Sequence, residues 1–304
     1  MASSEQSIKQ AILKTLLYSD IFNFPLTKSE IWRFLISEAK ISREDFEQNI
    51  NNLPQEIIFK NGFYSLRGKE QNILERQKNF KEVQKKLLLA KKTAFFLSFI
   101  PTIQLIGISG GLALENAGKD DDVDFFIITQ KNTLFMTRFW TIAILEWLKL
   151  RRNRTDKNPA NKICVNFFID ESRLSWSVGK RDLYIAHEIA QMQPIFERNE
   201  AYHKFINNNE WIKKLLPNSG EQRVKIVGKN WQTNLYSLRF LSNFLLFIKF
   251  ELMVKKMQKF YMRNHLTNET VTNRVLAFHP NDYRTKILNA LRSKYDKIGL
   301  LTNF

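Results

Sequence analysis

Asp122 and Asp124 stand one residue apart at the head of an apolar run, Phe125 to Ile128. On a strand, side chains alternate between faces, so both carboxylates point the same way, about 7 Å apart, with Val123 turned behind them. Like charges held that close repel unless a cation shares them, and hard oxygen ligands suit Mg2+. Upstream, the apolar stretch Ile103 to Ile108 leads into Gly110 and Gly111, where a short helix is predicted. Glycines there let backbone N–H groups approach a phosphate at a helix start, whose dipole favours an anion. A phosphate cradle beside metal-binding carboxylates is the equipment of phosphoryl transfer. The bland reading, a solvated acidic turn over Asp120, Asp121 and Asp122, leaves the glycine pair and its spacing unexplained.

Ten residues, 112 to 121, separate Gly111 from Asp122, and small residues Ala113 and Ala117 lie between. Together with the apolar flanks, this pattern over residues 103 to 170 resembles the signature of the DNA polymerase β-like nucleotidyltransferase superfamily. The resemblance implies Mg2+-dependent transfer of a nucleoside monophosphate from an NTP, with ATP expected, to a hydroxyl, releasing pyrophosphate. It implies two Mg2+ ions on Asp122 and Asp124, and phosphates held by Gly110 and Gly111. The family usually carries Ser where Gly111 stands, and Ser109 is the nearest hydroxyl.

The resemblance also asks for a third carboxylate on a later strand, between apolar neighbours. The strand is Lys162 to Asp170, and alternation puts Asn166, between Val165 and Phe167, in that slot. An amide cannot take the proton of an attacking hydroxyl. Asp170 shares the face by the same count but lies about 13 Å further along, serving only if the strand ends early or bends. Glu171 and Glu188 are the next acids to consider. The acceptor stays open: small molecule, protein side chain or RNA end. The alternative reading is a catalytically impaired nucleotide- or nucleic-acid-binding regulator.

The elements that must hold these residues read as an α+β (α/β) chain: a mixed-sheet nucleotidyltransferase core between a winged helix and a helical carboxy-terminal domain. Residues 1 to 68 carry the winged-helix pattern. A first helix spans Ser7 to Tyr18, Thr27 to Glu30 form a capping box, and Ser42 opens a third helix. The segment Ile57 to Leu66 forms a hairpin around Asn61 and Gly62. Residues 69 to 178 hold a long linker helix, Lys69 to Ser98, and then the core. A helix over Thr133 to Arg152 packs on the sheet, with Trp140 and Trp147 in the core. Residues 179 to 304 read as helices at Asp182 to Met192, Ala201 to Leu216, Trp231 to Arg263 and Asp282 to Lys297.

The formal charge of +17 is uneven: residues 1 to 65 hold seven Lys and Arg against eight acids, so the basic excess lies downstream. Such an excess attracts polyanions, nucleoside triphosphates among them. The third helix of the winged module carries Glu44, Asp45 and Glu47 against Arg43, which makes duplex DNA a poor ligand for it. The lone Cys164 excludes an internal disulfide and reads as a buried thiol rather than a nucleophile. His187, His203, His265 and His279 fall at no metal-ligand spacing. His187 and Glu188 share a helix that could face the nucleotide, though a capped or partly exposed His187 is the favoured reading. No Walker lysine follows the glycines. A nucleophile elbow at Ser109 would leave the aspartates without a role. The start lacks a basic region followed by an apolar run, and charges interrupt the most apolar helix, Leu235 to Val254, so a cytoplasmic protein without a membrane span is expected.

Overall fold

The structure, a computed structural model, describes residues 2–153, 156–220, 244–263, 270–277 and 281–300. Its first module is three helices and a small sheet: α1 (Ala2–Asp20), β1 (Leu26–Thr27), α2 (Lys28–Arg33), α3 (Arg43–Asn49), β2 (Ile57–Lys60) and β3 (Phe63–Leu66). Local chemistry sets its boundaries. Thr27 Oγ1 accepts from Glu30 N at 3.3 Å while the Glu30 carboxylate accepts from Thr27 N at 2.8 Å, a closed capping box. Ser42 caps α3 through Asp45 N at 3.0 Å. Asn61 and Gly62 both take positive φ, 52° and 84°, as the tight β2–β3 turn requires. On α3 the single cation, Arg43, lies over the Trp32 ring and pairs with Glu47, so no free cation offsets Glu44 and Asp45.

The rest of the chain continues through α4 (Glu70–Leu97), β4 (Ile103–Ser109), α5 (Gly110–Ala113), β5 (Val123–Thr129), α6 (Leu134–Trp147) and β6 (Ile163–Asp170). Then follow α7 (Leu183–Gln191), β7 (Gln193–Glu197), α8 (Ala201–Asn207), α9 (Phe244–Arg263), β8 (Thr270–Val271), β9 (Val275–Ala277) and α10 (Asn281–Lys297). The six-stranded sheet runs β7-β4-β5-β6-β9-β8 and is mixed: β5 and β6 are parallel, the other neighbours antiparallel. A parallel pair needs a crossover, and α6 supplies it.

Strand alternation divides the sheet's side chains between two cores. Ile106, Ile108, Phe125, Ile127 and Phe168 pack with α4, α6 and α9, whereas Leu105, Phe126, Ile128 and Ile169 pack with α7, α8 and α10. The amino-terminal module joins the second core through Leu17, Tyr18, Phe34 and Ile36. Arg76 on α4 fastens the module from the other side, bidentate to Glu30 at 2.6 and 2.8 Å.

Three expectations are corrected. The region past Gly179 is not purely helical: β7, β8 and β9 extend the central sheet on both sides. These strands are two to five residues long, too short for a period to show. Helix α6 stops at Trp147, and Lys149 takes φ 58°, a left-handed terminus that redirects the chain toward β6. Trp140 and Trp147 are 46% and 75% exposed rather than buried, because the buried stripe of α6 runs through Leu134, Thr137, Thr141 and Leu145. The expected helix from Trp231 lies outside the described residues up to 243, as do His265 and His279. Among the described residues, no helix is long and apolar enough to cross a membrane.

Candidate functional site

The glycine turn and the aspartates meet because β4 and β5 pair with Ser109 opposite Asp124. Gly110 follows with φ +64°, a left-handed conformation that an L side chain resists. A Cβ at this position would also stand 2.7 Å from Asp124 Oδ2. The glycine therefore makes room for the carboxylate as well as for the turn. Gly111 is different: a Cβ there meets nothing closer than 4.0 Å. Helix α5 closes only one turn, so its dipole is small and the turn's N–H groups are the main feature offered to an anion.

The loop before β5 is clamped from α4. Lys86 Nζ donates to the carbonyls of Asp121 at 2.6 Å and Lys119 at 3.2 Å, and to Asn161 Oδ1 at 3.3 Å. The lysine is fully buried. Burial lowers its pKa while Asp121 draws it back up. A buried ammonium donating three hydrogen bonds fixes the loop that ends in Asp122.

Asp122, Asp124 and Cys164 each bring one ligand-type atom within 4.8 Å of the others. Arg152 donates to the Asp122 carboxylate and lies 3.8 Å from Cys164 Sγ. Burial, then the charge of Asp122, pushes Asp124 up to about 7. Burial and the two carboxylates push the Cys164 thiol up to about 12, so at neutral pH it holds its proton. The cluster is thus a carboxyl raised by burial and by the neighbouring Asp122, and a neutral thiol, with one guanidinium at its edge.

The third position differs from the sequence reading. In the register of β5 and β6, Asp124 pairs with Cys164 and Phe126 pairs with Phe167, so β6 carries one extra residue there. Val165 packs with the α4–α6–α9 core while Phe167 packs with the α7 side. Simple alternation across 164 to 167 therefore fails, as at a β-bulge, and Cys164 rather than Asn166 is opposite Asp124. Asp170 lies opposite Thr129, at the far end of the strand, six residues and about 20 Å from Cys164. Its carboxylate accepts from Asn132 N at 2.6 Å and Ser172 N at 2.9 Å, capping the turn Glu171–Arg173. Glu171 is at that end too, accepting from Lys131 N. Neither belongs to the aspartate cluster.

Glu188 does approach it. On α7 it lines, with Ser109, a cavity of about 500 Å³ on the Asp124 side of the sheet. Burial pushes its pKa up to about 7, and its charge acts on Asp124. The neighbouring His187 turns away, stacked on Tyr18 at 3.8 Å, and burial brings it down to about 3. It is a neutral core residue, neither exposed nor facing the cavity. The cavity wall includes a stack of near-parallel rings: Phe126 on Phe167 at 4.9 Å, and Phe167 on Trp176 at 5.3 Å. Gly107 lets β4 approach this wall, since a Cβ there would run into the Met192 side chain.

No family model, curated protein or solved structure matches the chain. The functional reading therefore rests on the residues themselves.

Several features of the site escape a sequence reading. Cys164 gains its place from a register shift, Arg152 from the turn at Lys149, and the ring stack from residues 50 positions apart. Glu188 did carry a signal: it is an acid on a mostly apolar helix, among Tyr184, Ile185 and Ile189, which also line the cavity.

Proposed function

We propose that the chain is a nucleotidyltransferase that moves a nucleoside monophosphate from an NTP, with ATP expected, to a hydroxyl acceptor. The observation that carries this reading is the meeting of Asp122, Asp124 and the Ser109–Gly110–Gly111 turn, of which Ser109 also lines an aromatic cavity. Gly110 and Gly111 would offer N–H groups to the phosphates, and Ser109 a hydroxyl. Arg152, on the open side of Asp122, is placed to meet the charge of an arriving triphosphate.

The donor set indicates which metal fits. Two of the three ligand groups, Asp122 and Asp124, are carboxylates, whose hard oxygens suit Mg2+. Mg2+ is commonly bound by one or two carboxylates together with substrate phosphates, which Asp122 and Asp124 can provide. Bound there, it would neutralise charge developing on the phosphates. Among the described residues the cluster has no third carboxylate, so it suits one ion better than the expected pair. Asp124, at about 7, is half protonated at neutral pH until a cation favours its charged form.

A second reading, binding of a nucleotide without transfer, is favoured by Cys164 in the third slot, because a neutral thiol supplies neither base nor hard ligand. Incubation with α-labelled ATP, Mg2+ and a cell extract separates the two. Label covalently passed to an acceptor, and lost with Asp122→Asn plus Asp124→Asn, supports transfer. Tight ATP binding with no labelled product supports the regulator.

A further inference from the structure

The cavity beside Glu188 has a chemistry of its own. Its wall is apolar and aromatic where Phe126, Phe167 and Trp176 stack. Glu188 enters this wall half-buried, with no hydrogen bond or ion pair to another described residue. Its carboxylate opens into the cavity, where a donor on a ligand can replace water. Arg173, Lys180 and Arg274 also line the cavity, are exposed, and make no ion pair among the described residues. Arg284, by contrast, is held by Asp182.

We propose that this cavity is the acceptor site, and that the acceptor is a small molecule with a flat apolar body, a hydroxyl directed at Glu188 and an anionic group directed at the exposed cations. The inference rests on the nucleotidyltransferase reading above. A volume of about 500 Å³ suits a small ligand rather than a chain end of protein or RNA. Ser109 belongs both to the cavity wall and to the strand pair that carries Asp124, and the charge of Glu188 acts on Asp124, so Glu188 stands toward the phosphate end of the cavity. On transfer, the hydroxyl oxygen bonds to the α-phosphorus as the bond to the bridging oxygen breaks. Pyrophosphate leaves, and the hydroxyl proton passes to Glu188.

The test uses the full chain and calorimetry with three probes: 6-hydroxy-2-naphthoate, 2-naphthoate lacking the hydroxyl, and the methyl ester of the first, lacking the charge. The hydroxy acid should bind, and loss of either group should weaken it about tenfold, the worth of one hydrogen bond to a charged partner. Glu188→Ala should erase the preference for the hydroxyl. Arg173→Ala with Arg274→Ala, both on the surface, should weaken the acids but not the ester. MgATP should bind alongside the hydroxy acid. No binding of any probe, equal binding of all three, or competitive displacement by MgATP would overturn the proposal, the last by making the cavity the seat of the nucleotide base. If the probes behave as expected but MgATP does not bind at all, the transferase reading falls and the ligand class stands.

Discussion

Asp124→Asn should make the protein more stable at pH 8, although it removes a central residue of the site. Burial and the charge of Asp122 raise the Asp124 carboxyl from 3.8 to about 7. At about 1.36 kcal/mol per pH unit, the folded chain then tolerates the charged form worse than the unfolded chain by roughly 4 kcal/mol. Relaxation and water entry reduce what is realised, and a gain on the order of 1–2 kcal/mol is expected. The pH dependence gives the sign. In an acid whose folded pKa is raised, the folded state holds the extra proton between the two values, so stability declines as pH rises from about 4 to about 7. Parent and variant should therefore melt together near pH 4 and separate by a few degrees above pH 7. The variant will keep part of the slope, because burial also raises Glu188, from 4.5 to about 7. Mg2+ should recover the difference by stabilising the parent alone. Thermal melts at three pH values, with and without Mg2+, read all of this. A variant less stable than the parent at pH 8 would refute the reasoning, since the carboxylate would then be supporting the fold.

Gly110→Ala should destabilise by about 1–3 kcal/mol, the cost of a forced left-handed residue, and abolish MgATP binding, because its Cβ would stand 2.7 Å from Asp124 Oδ2. Gly111→Ala, with 4.0 Å of clearance, should leave the melting temperature nearly unchanged, and a matched loss of stability in both would contradict the placement of Asp124. Lys86→Met should cost about 1–3 kcal/mol by leaving the carbonyls of Lys119 and Asp121 unpaired. It should also weaken Mg2+ binding, measured by calorimetry; unchanged metal affinity would show that the clamp does not position Asp122. Cys164→Asp should restore a carboxylate opposite Asp124 and speed any transfer by up to about 10²–10⁴-fold, whereas Asn166→Asp should do less. The reverse order in a labelled-ATP assay would place the slot at Asn166 after all.

Much of the frame was legible because it depends on short-range chemistry. Thr27 and Glu30, Ser42, and the Asn61–Gly62 turn each determine a backbone conformation by local hydrogen bonding or by tolerance of positive φ, so the amino-terminal module could be read from its residues. The strands around the aspartates were legible because they are seven or eight residues long and mostly apolar. What was not legible depends on non-local pairing. The register of β6, with one extra residue, puts Cys164 opposite Asp124, and Asp170 lies at the far end of the strand, capping the next turn. Strands β8 and β9, of two and three residues, have no period to detect, so the sheet's far edge was read as helical. Glu188 was legible as a candidate acid on a helix that could face the nucleotide, and the cavity it lines gives it a place.

The central claim is that the aspartate pair binds a nucleotide through a divalent cation, and calorimetric titration of MgATP tests it most directly. The parent should bind MgATP, and should bind ATP far more weakly when the metal is chelated. Asp122→Asn with Asp124→Asn should lose the metal-dependent part of the affinity while keeping a cooperative melt. Equal MgATP affinity in the parent and the folded double variant would contradict the claim.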